Sequence, residues 1–356
     1  MEELPVRKIL IDNEDWNDLQ DTAKRGRYKT VDIIMNGQQY KAQFGLRGGH
    51  TLHYSKKSYE VIVEGGPTLH WNAEFDDPSL IRNALSFHFF NEIGVPSPLT
   101  QHIEVEINDR PQGVYLEIES VDATFFKKRG IGFRSILYAS NDSADFSLID
   151  PIHRGKKDSL FDGYELKYGS DKVTKPKLIR FVRGINKHSG KSFIAFTAKR
   201  LDVKQYLLWL AGAVLTSNYD GFDQNYALYE HRKTGKYRII PWDYEGTWGR
   251  NCYGRPCGSD LVRLQGYNKL TEKLFQYSAC RKAYKAIINN LLVTQFTVER
   301  IDPVITRYYK QITPAIRHDF TRKSSYDTFL NEPSFILEYV RERRAIIKAA
   351  LKAWKA

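Results

Sequence analysis

Two short segments hold most of the side chains that can do chemistry. One reads Thr216-Ser217-Asn218-Tyr219-Asp220-Gly221-Phe222-Asp223-Gln224-Asn225, the other Pro241-Trp242-Asp243-Tyr244-Glu245-Gly246. Asp220 and Asn225 stand five apart, and Asp243 lies 23 residues beyond Asp220. Between the segments, Tyr226 to Glu230 and Tyr237 to Pro241 read as strands joined at Thr234-Gly235. A hairpin folds back on itself, so Asp220, Asn225 and Asp243 can face one cavity. That trio suits phosphoryl transfer. One carboxylate orients a hydroxyl nucleophile and takes its proton. The other carboxylate and the amide oxygen hold Mg2+ against phosphates, because hard cations prefer oxygen. Asp and Asn are also turn residues that bond their own backbone, so the segment alone reads equally as a turn cluster.

The elements before these segments supply what such a site needs. Asp202 to Leu215 reads as a strongly apolar helix that feeds the first loop. Protein kinases use the same Asp-to-Asn interval in H-R-D-x-x-x-x-N, followed by D-F-G. Here Asn218-Tyr219 stands for His-Arg and Tyr244-Glu245 for Phe-Gly. A kinase N-terminal lobe also needs a glycine-containing loop over phosphates, a strand lysine and a helix behind it. Thr30 to Met35 and Gln39 to Leu46 form a hairpin about Asn36-Gly37, and Arg47-Gly48-Gly49 follows. A polar loop then leads into a strand over Lys57 to Val63, where Lys57, Tyr59, Val61 and Val63 share one face and Lys56, Ser58, Glu60 and Ile62 the other. Asp77 and Pro78 then open a helix with one apolar face through Ile93, closed by Gly94. Ile103 to Ile107 and Val114 to Ile118 form a second hairpin about Asn108-Asp109, so the first part reads β-β-β-α-β-β. Residues 125–180 read as loop-rich, and the chain from Leu270 as mainly helical. Its last helix, Ser334 to Trp354, sets Arg341, Arg343, Arg344, Lys348 and Lys352 on an outward face. Without its ligands, Arg47 reads as a surface charge and the two lysines as edge protection.

Composition sets the outer limits. The chain has 356 residues, 42% hydrophobic and 13% aromatic, too apolar for a disordered chain. Its 54 Lys and Arg against 42 Asp and Glu give a net charge of +12, which favours anionic partners without choosing among them. Nucleic acid is disfavoured, because the aromatics lie in core-like segments and not in a basic stripe. No apolar run approaches the 18 residues of a membrane span. The opening MEELPVRKILID lacks the apolar region of a secretory leader, so none is expected. Three cysteines, Cys252, Cys257 and Cys280, read as reduced thiols. Neither they nor His50 and His53 stand at zinc-ligand spacing.

The sequence resembles the spore coat protein H (CotH) kinase family. The resemblance rests on LRGGHTLHYSKKSYEV from Leu46, DPSLIRNALSFHFFNEIGVPSP from Asp77, PQGVYLEIESVD from Pro111, SNYDGFDQNYALYE from Ser217 and IIPWDYEGTWG from Ile239. It covers about residues 30–280. It implies an α+β fold of the atypical protein-kinase type with two lobes, a β-rich N-lobe over 1–120 and a mainly helical C-lobe over 121–356. It also implies ATP- and Mg2+-dependent phosphorylation of serines in basic, Ser-rich spore coat proteins. Because a +12 surface would repel such substrates, the resemblance further implies a local acidic groove near the catalytic loop, including Asp223, Glu245 and Asp260. The chain would then reside in the mother-cell cytoplasm during sporulation and afterwards in the coat. By the same resemblance Asp220 is catalytic, and Asp243 and Asn225 bind metal. Arg47, Gly48 and Gly49 with Lys56 or Lys57 contact the phosphates of ATP or AMP, Lys57 being favoured, and Glu117, Ile118 and Glu119 offer hinge backbone to adenine. Glu92 is either the ion-pair partner of the lysine or an exposed last-turn residue. No His-Arg precedes Asp220, no Phe-Gly follows Asp243 and no Ala-Pro-Glu segment is present, so no activation-loop switch is expected. The alternatives are a nucleotide-binding pseudokinase, an AMP-transferring enzyme and a non-enzymatic coat scaffold.

Overall fold

The computed structural model describes residues 3–22 and 26–355. In chain order they form β1 (Val6–Leu10), α1 (Asn13–Thr22), β2 (Tyr28–Met35), β3 (Gln38–Arg47), β4 (Ser58–Val63), β5 (Thr68–Asn72), α2 (Arg82–Glu92), β6 (Thr100–Ile107) and β7 (Arg110–Glu119). Then follow α3 (Ala123–Lys128), β8 (Phe133–Ala139), β9 (Tyr164–Tyr168), α4 (Asp171–Lys187), α5 (Gly190–Arg200), α6 (Val203–Thr216), β10 (Tyr226–His231) and β11 (Tyr237–Pro241). Last come α7 (Lys269–Leu274), α8 (Ser278–Thr294), α9 (Val298–Ile316) and α10 (Tyr326–Ala353). The class is α+β, as expected. Among the described residues no helix is long and apolar enough to cross a membrane.

Two compact units emerge, and their division differs from a single cut at residue 120. The first comprises 1–85, 98–125 and 302–334; the second comprises 86–97, 126–301 and 335–356. The late return of 302–334 to the first unit has no signature in local sequence.

The first unit is built on a closed barrel in the order β1-β2-β3-β4-β5-β7-β6. Alternation drives it: Tyr59, Val61 and Val63 on β4 are buried, while Ile62 between them is 37% exposed. Phe44, Trp71, Ile103 and Tyr115 complete the interior, with Phe44 stacked on Tyr59 at 4.7 Å between ring centroids. Both expected hairpins are present, pairing Met35 with Gln38 and Ile107 with Arg110. Closure depends on β1, which pairs antiparallel with β2 and parallel with β6. That strand, α1 and β5 went unread in the sequence.

The helix after Asp77 starts later than its cap suggests. It runs from Arg82, not Pro78, because Asp77 first closes a turn on Ser79 (2.8 Å to its N–H) and then caps the N–H of Arg82 (2.9 Å). Nor does it bury a single face. Arg82, Asn83 and Ser86 are as inaccessible as Leu85 and Phe90. Arg82 is held by Asp77 (2.6 Å) and Glu332 (2.7 Å), so its charge is answered on both sides.

The second unit contains a four-stranded sheet, β11-β10-β8-β9, in which β10 and β11 are the expected hairpin while β8 and β9 lie in the stretch expected to be loop-rich. Against it lies α6, whose residues from Leu210 to Thr216 are fully buried. The last helix departs from its expected polar face. Arg343 is wholly buried and donates to Val214 O (3.1 and 2.6 Å) and Ser259 O (2.9 Å). Arg344 reaches the carbonyls of Leu292 and Phe296. Both serve as carbonyl clamps and not as solvated charges.

Candidate functional site

The loop after α6 is fixed by how that helix ends. The last carbonyls of a helix need partners from outside its ladder. Here Val214 O takes Arg343, Leu215 O takes the Tyr339 hydroxyl (2.7 Å), and Thr216 O takes the Trp248 N–H (2.9 Å). Ser217 caps the helix in the left-handed region (φ 56°), and a short 3-10 turn over Tyr219–Gly221 carries Asp220. The chain leaves α6 in one direction because every terminal carbonyl is committed.

The hairpin brings the second segment to the same place. Tyr226 pairs with Pro241, so the residues just outside the pair are neighbours, and the Trp242 N–H donates to Asn225 O (3.1 Å). Asn225 N–H in turn donates to Ala139 O (2.9 Å). The Asn218 amide donates to Asp243 O at 3.2 Å, tying the first loop to the second. Asn225 (φ 58°) and Asp243 (φ 59°) both sit in the left-handed region, which Asn and Asp tolerate better than other side chains do. The expected side-by-side placement of these loops is thus what the fold provides.

Negative charge collects around Asp220. Burial, then the charges of Asp145 and Asp142, push the Asp223 carboxyl up to about 7 against the opposing pull of Lys157, with Asp220 adding to the rise. One oxygen of Asp223 is buried without a hydrogen bond. Asp145 is paired with Lys157 at 2.6 Å, and Asp142 accepts from Gln224 at 2.7 Å. Asp142 and Asp145, which local motif reading passed over, therefore belong to this cluster. Asp260, expected in it, is exposed. Cys252 lies against Asp220: burial, then the Asp220 charge and hydrogen bond, push its thiol up to about 12.

Among the described residues no three His, Cys, Asp or Glu side chains form a metal cage. Mg2+ does not require one, since it binds through one or two carboxylates and completes its shell with water and substrate phosphate. Asp243 and Asn225, on adjoining loops, and Asp223, with one orphaned buried oxygen, offer the hard oxygen donors that such an ion takes.

The residues expected to meet phosphate lie in the first unit. Gly48 (φ 112°) turns the chain after β3, and a Cβ there would stand 2.0 Å from Thr51 Oγ1. Arg47 donates to the Asn72 side chain. Lys56 and Lys57 both precede β4 instead of lying in it. Lys57 reaches the Leu52 carbonyl. The buried lysine is Lys56, which donates to Val114 O (2.7 Å) and Asp319 Oδ2 (3.2 Å) and lies 4.7 Å from the Tyr115 ring centre. Burial pushes its ammonium down to about 8, against the pull of Asp319. Glu92 is the exposed last-turn residue.

Asp319 was invisible in the sequence, since it stands 263 positions from Lys56. Its carboxylate also accepts from the Val114 N–H (2.9 Å), the Thr321 N–H (2.8 Å) and the Thr321 hydroxyl (2.6 Å). Gly113 makes room for it: a Cβ there would stand 2.4 Å from the carboxylate.

The expected hinge needs correction. Glu117 and Ile118 pair with β5 on one side and β6 on the other, which commits their backbone groups to the barrel. The Glu117 carboxylate is engaged too, by Arg7 (3.0 and 3.1 Å) and by the Trp71 indole (3.0 Å). Glu119 N–H donates to Leu99 O (3.0 Å).

The model of a family described as CotH kinase protein matches residues 44–347. The inner spore coat protein H of Bacillus subtilis (strain 168) is 37% identical over 353 residues, 97% of each chain. The inner spore coat protein H-like protein of the same organism is 28% identical, over 83% of this chain and 86% of that one. Among solved structures, the Helicobacter pylori proinflammatory kinase CtkA aligns over 94% of each chain at 10% identity and a TM-score of 0.33. The Shewanella oneidensis HipA–HipB toxin–antitoxin complex with operator DNA aligns over all of this chain and 75% of that one, at 11% identity and 0.43.

Proposed function

This chain belongs to the CotH kinase protein family, and from that premise we propose that it is an atypical protein kinase that phosphorylates serines of spore coat proteins with ATP and Mg2+. The observation that carries the reading is the tie between the two loops. The Asn218–Asp243 bond and the Asn225–Trp242 bond hold the Asp220 turn, Asn225 and Asp243 in one constellation. Asp220 accepts the proton of the serine hydroxyl as its oxygen bonds to the γ-phosphorus, and the bond from that phosphorus to the bridging oxygen breaks to release ADP. Asp243 and Asn225 would hold Mg2+, which when bound neutralises charge on the phosphates. Asp142, Asp145 and Asp223 make the surroundings negative, which suits a basic serine-bearing segment. The spore coat setting is carried over from the relative's name.

Intact-mass measurement tests this directly. The purified chain is incubated with ATP, Mg2+ and a Ser-, Lys- and Arg-rich peptide. Gain of phosphate on the peptide, lost in Asp220→Asn, is the expected result. Gain of AMP would make it a nucleotidyl transferase. No gain on either protein or peptide, with a melting shift from ATP–Mg2+ retained, would make it a pseudokinase.

A further inference from the structure

The first unit carries a groove of about 690 Å3 walled by α9 and the opening turns of α10. Its volume lies within the usual range of ligand sites, and none of the residues proposed above for phosphate transfer lines it. Ile305, Tyr309 and Thr313 recur every four residues along one face of α9, with Arg317 in the turn just past its end, grading from a buried floor to an exposed rim. The aromatic wall is rigid: Tyr309 stacks on Phe329 at 4.5 Å between centroids, and Phe329 on Tyr326 at 5.9 Å.

We infer that this groove docks an extended acidic segment of a partner protein, with its carboxylates on Lys310 and Arg317 and an apolar side chain against Tyr309 and Tyr326. Charge is the first argument. No acidic residue lines the groove. Among the described residues neither the Lys310 ammonium nor the Arg317 guanidinium makes a hydrogen bond or ion pair, whereas nearby cations are engaged: Lys323 with Asp76, and Arg322 with the carbonyls of Asp319 (2.9 Å) and Ser324 (2.8 Å). Backbone is the second. Pro314 and Pro333 both line the groove inside helices, and a proline supplies no N–H to the carbonyl four residues before it. The Tyr309 hydroxyl answers the one at Phe329 (2.9 Å). The carbonyl of Lys310 has no such helical donor, and a peptide N–H supplies what a lone anion lacks.

The test is fluorescence anisotropy with a labelled peptide of about ten residues in which glutamates flank a Leu-Phe pair, a length suited to groove recognition. A matched peptide carries lysine in place of glutamate. Saturable binding of the acidic peptide, weakened about tenfold or more in K310E/R317E and by added salt, is the expected result. Its readout is independent of phosphate transfer, so it stands or falls apart from the kinase reading. No saturation by about 1 mM, a weak affinity for groove recognition, overturns the proposal, as does equal binding of the lysine peptide or an unchanged affinity in the double variant. Full competition by inorganic phosphate would reassign the groove to a simple anion. A concentration-dependent dimer lost in K310E/R317E would reassign it to a second copy of the chain. Both substituted side chains are exposed, so the melting temperature serves as the folding control.

Discussion

Buried charge in the barrel unit is answered by opposite charge: Lys56, 6% exposed, meets Asp319, and Arg82 meets both Asp77 and Glu332. In the unit that carries Asp220, buried Glu230 follows the same rule through Lys177 and Arg134, but the cluster beside Asp220 reverses it. Asp223 is surrounded by Asp142, Asp145 and Asp220, with one oxygen buried and unbonded, and Asn225 and Asp243 hold left-handed backbone. The first pattern stabilises a fold. The second costs stability and suits a site completed by ligands, where strained backbone and displaced pKa values concentrate. Removing the Asp319 and the Asp223 carboxylates should therefore have opposite consequences for stability.

The largest effect should fall on activity. Asp220→Ala and Asp243→Ala are each expected to lower phosphate transfer by about 10^3-fold or more, with melting temperatures close to the parent's. Asp243→Ala should also lose the Mg2+-dependent melting shift with ATP. Transfer within tenfold of the parent in either variant would remove that residue from the mechanism.

Next in size is Asp319→Ala, which strands Lys56 in the barrel. A loss of about 3–5 kcal/mol is expected from urea unfolding at pH 7. The Lys56 pKa is already depressed, to about 8 from 10.5. Between those values the unfolded chain binds more protons than the folded one, so this group's contribution to stability rises with pH. The variant should regain part of its loss between pH 7 and 9.5. A flat pH response would mean that Lys56 escapes to solvent.

Arg343→Met probes the second unit where it does follow the barrel's rule of full satisfaction. It removes the guanidinium bonds to the Val214 and Ser259 carbonyls, leaving Val214 O, among the described residues, only the Ser217 N–H (3.3 Å), at a cost of about 2–4 kcal/mol. Because Val214 O lies in the turn that launches the Asp220 loop, transfer should fall as well.

The smallest effect should carry the opposite sign. Asp223→Asn removes a carboxyl whose folded pKa is raised, to about 7. That group binds a proton more readily folded than unfolded, so its contribution to stability is lost as pH rises from about 4 through 7. The variant should melt about 2–4 °C higher at pH 8 and equal the parent near pH 4. Destabilisation at pH 8 would break the contrast between the units.

Local pattern made much of this legible. The Asn36-Gly37 and Asn108-Asp109 turns between alternating strands, and the hairpin joining Asn225 to Asp243, are short-range signals that tertiary packing left in place. What stayed hidden was long-range. β1 pairs with strands 20 to 100 residues away, and five residues carry too little periodicity to announce themselves. The Lys57 preference followed strand alternation, but β4 begins one residue later and the turn before it sends Lys56 inward. Arg343 looked solvated because a helix wheel shows which face a residue occupies, not whether unsatisfied carbonyls wait opposite it.

The contact between Lys56 and Asp319 also has a consequence in time. The ribosome makes the chain from its N-terminus, so all seven barrel strands emerge by residue 119, yet the partner of their buried ammonium comes about nine-tenths of the way along. Until then Lys56 has only the Val114 carbonyl and the Tyr115 ring. The nascent barrel must wait, loosened or with its lysine turned outward, while most of the unit bearing Asp220 is synthesised. A message cut short before codon 319 would leave a barrel that never closes on its charge.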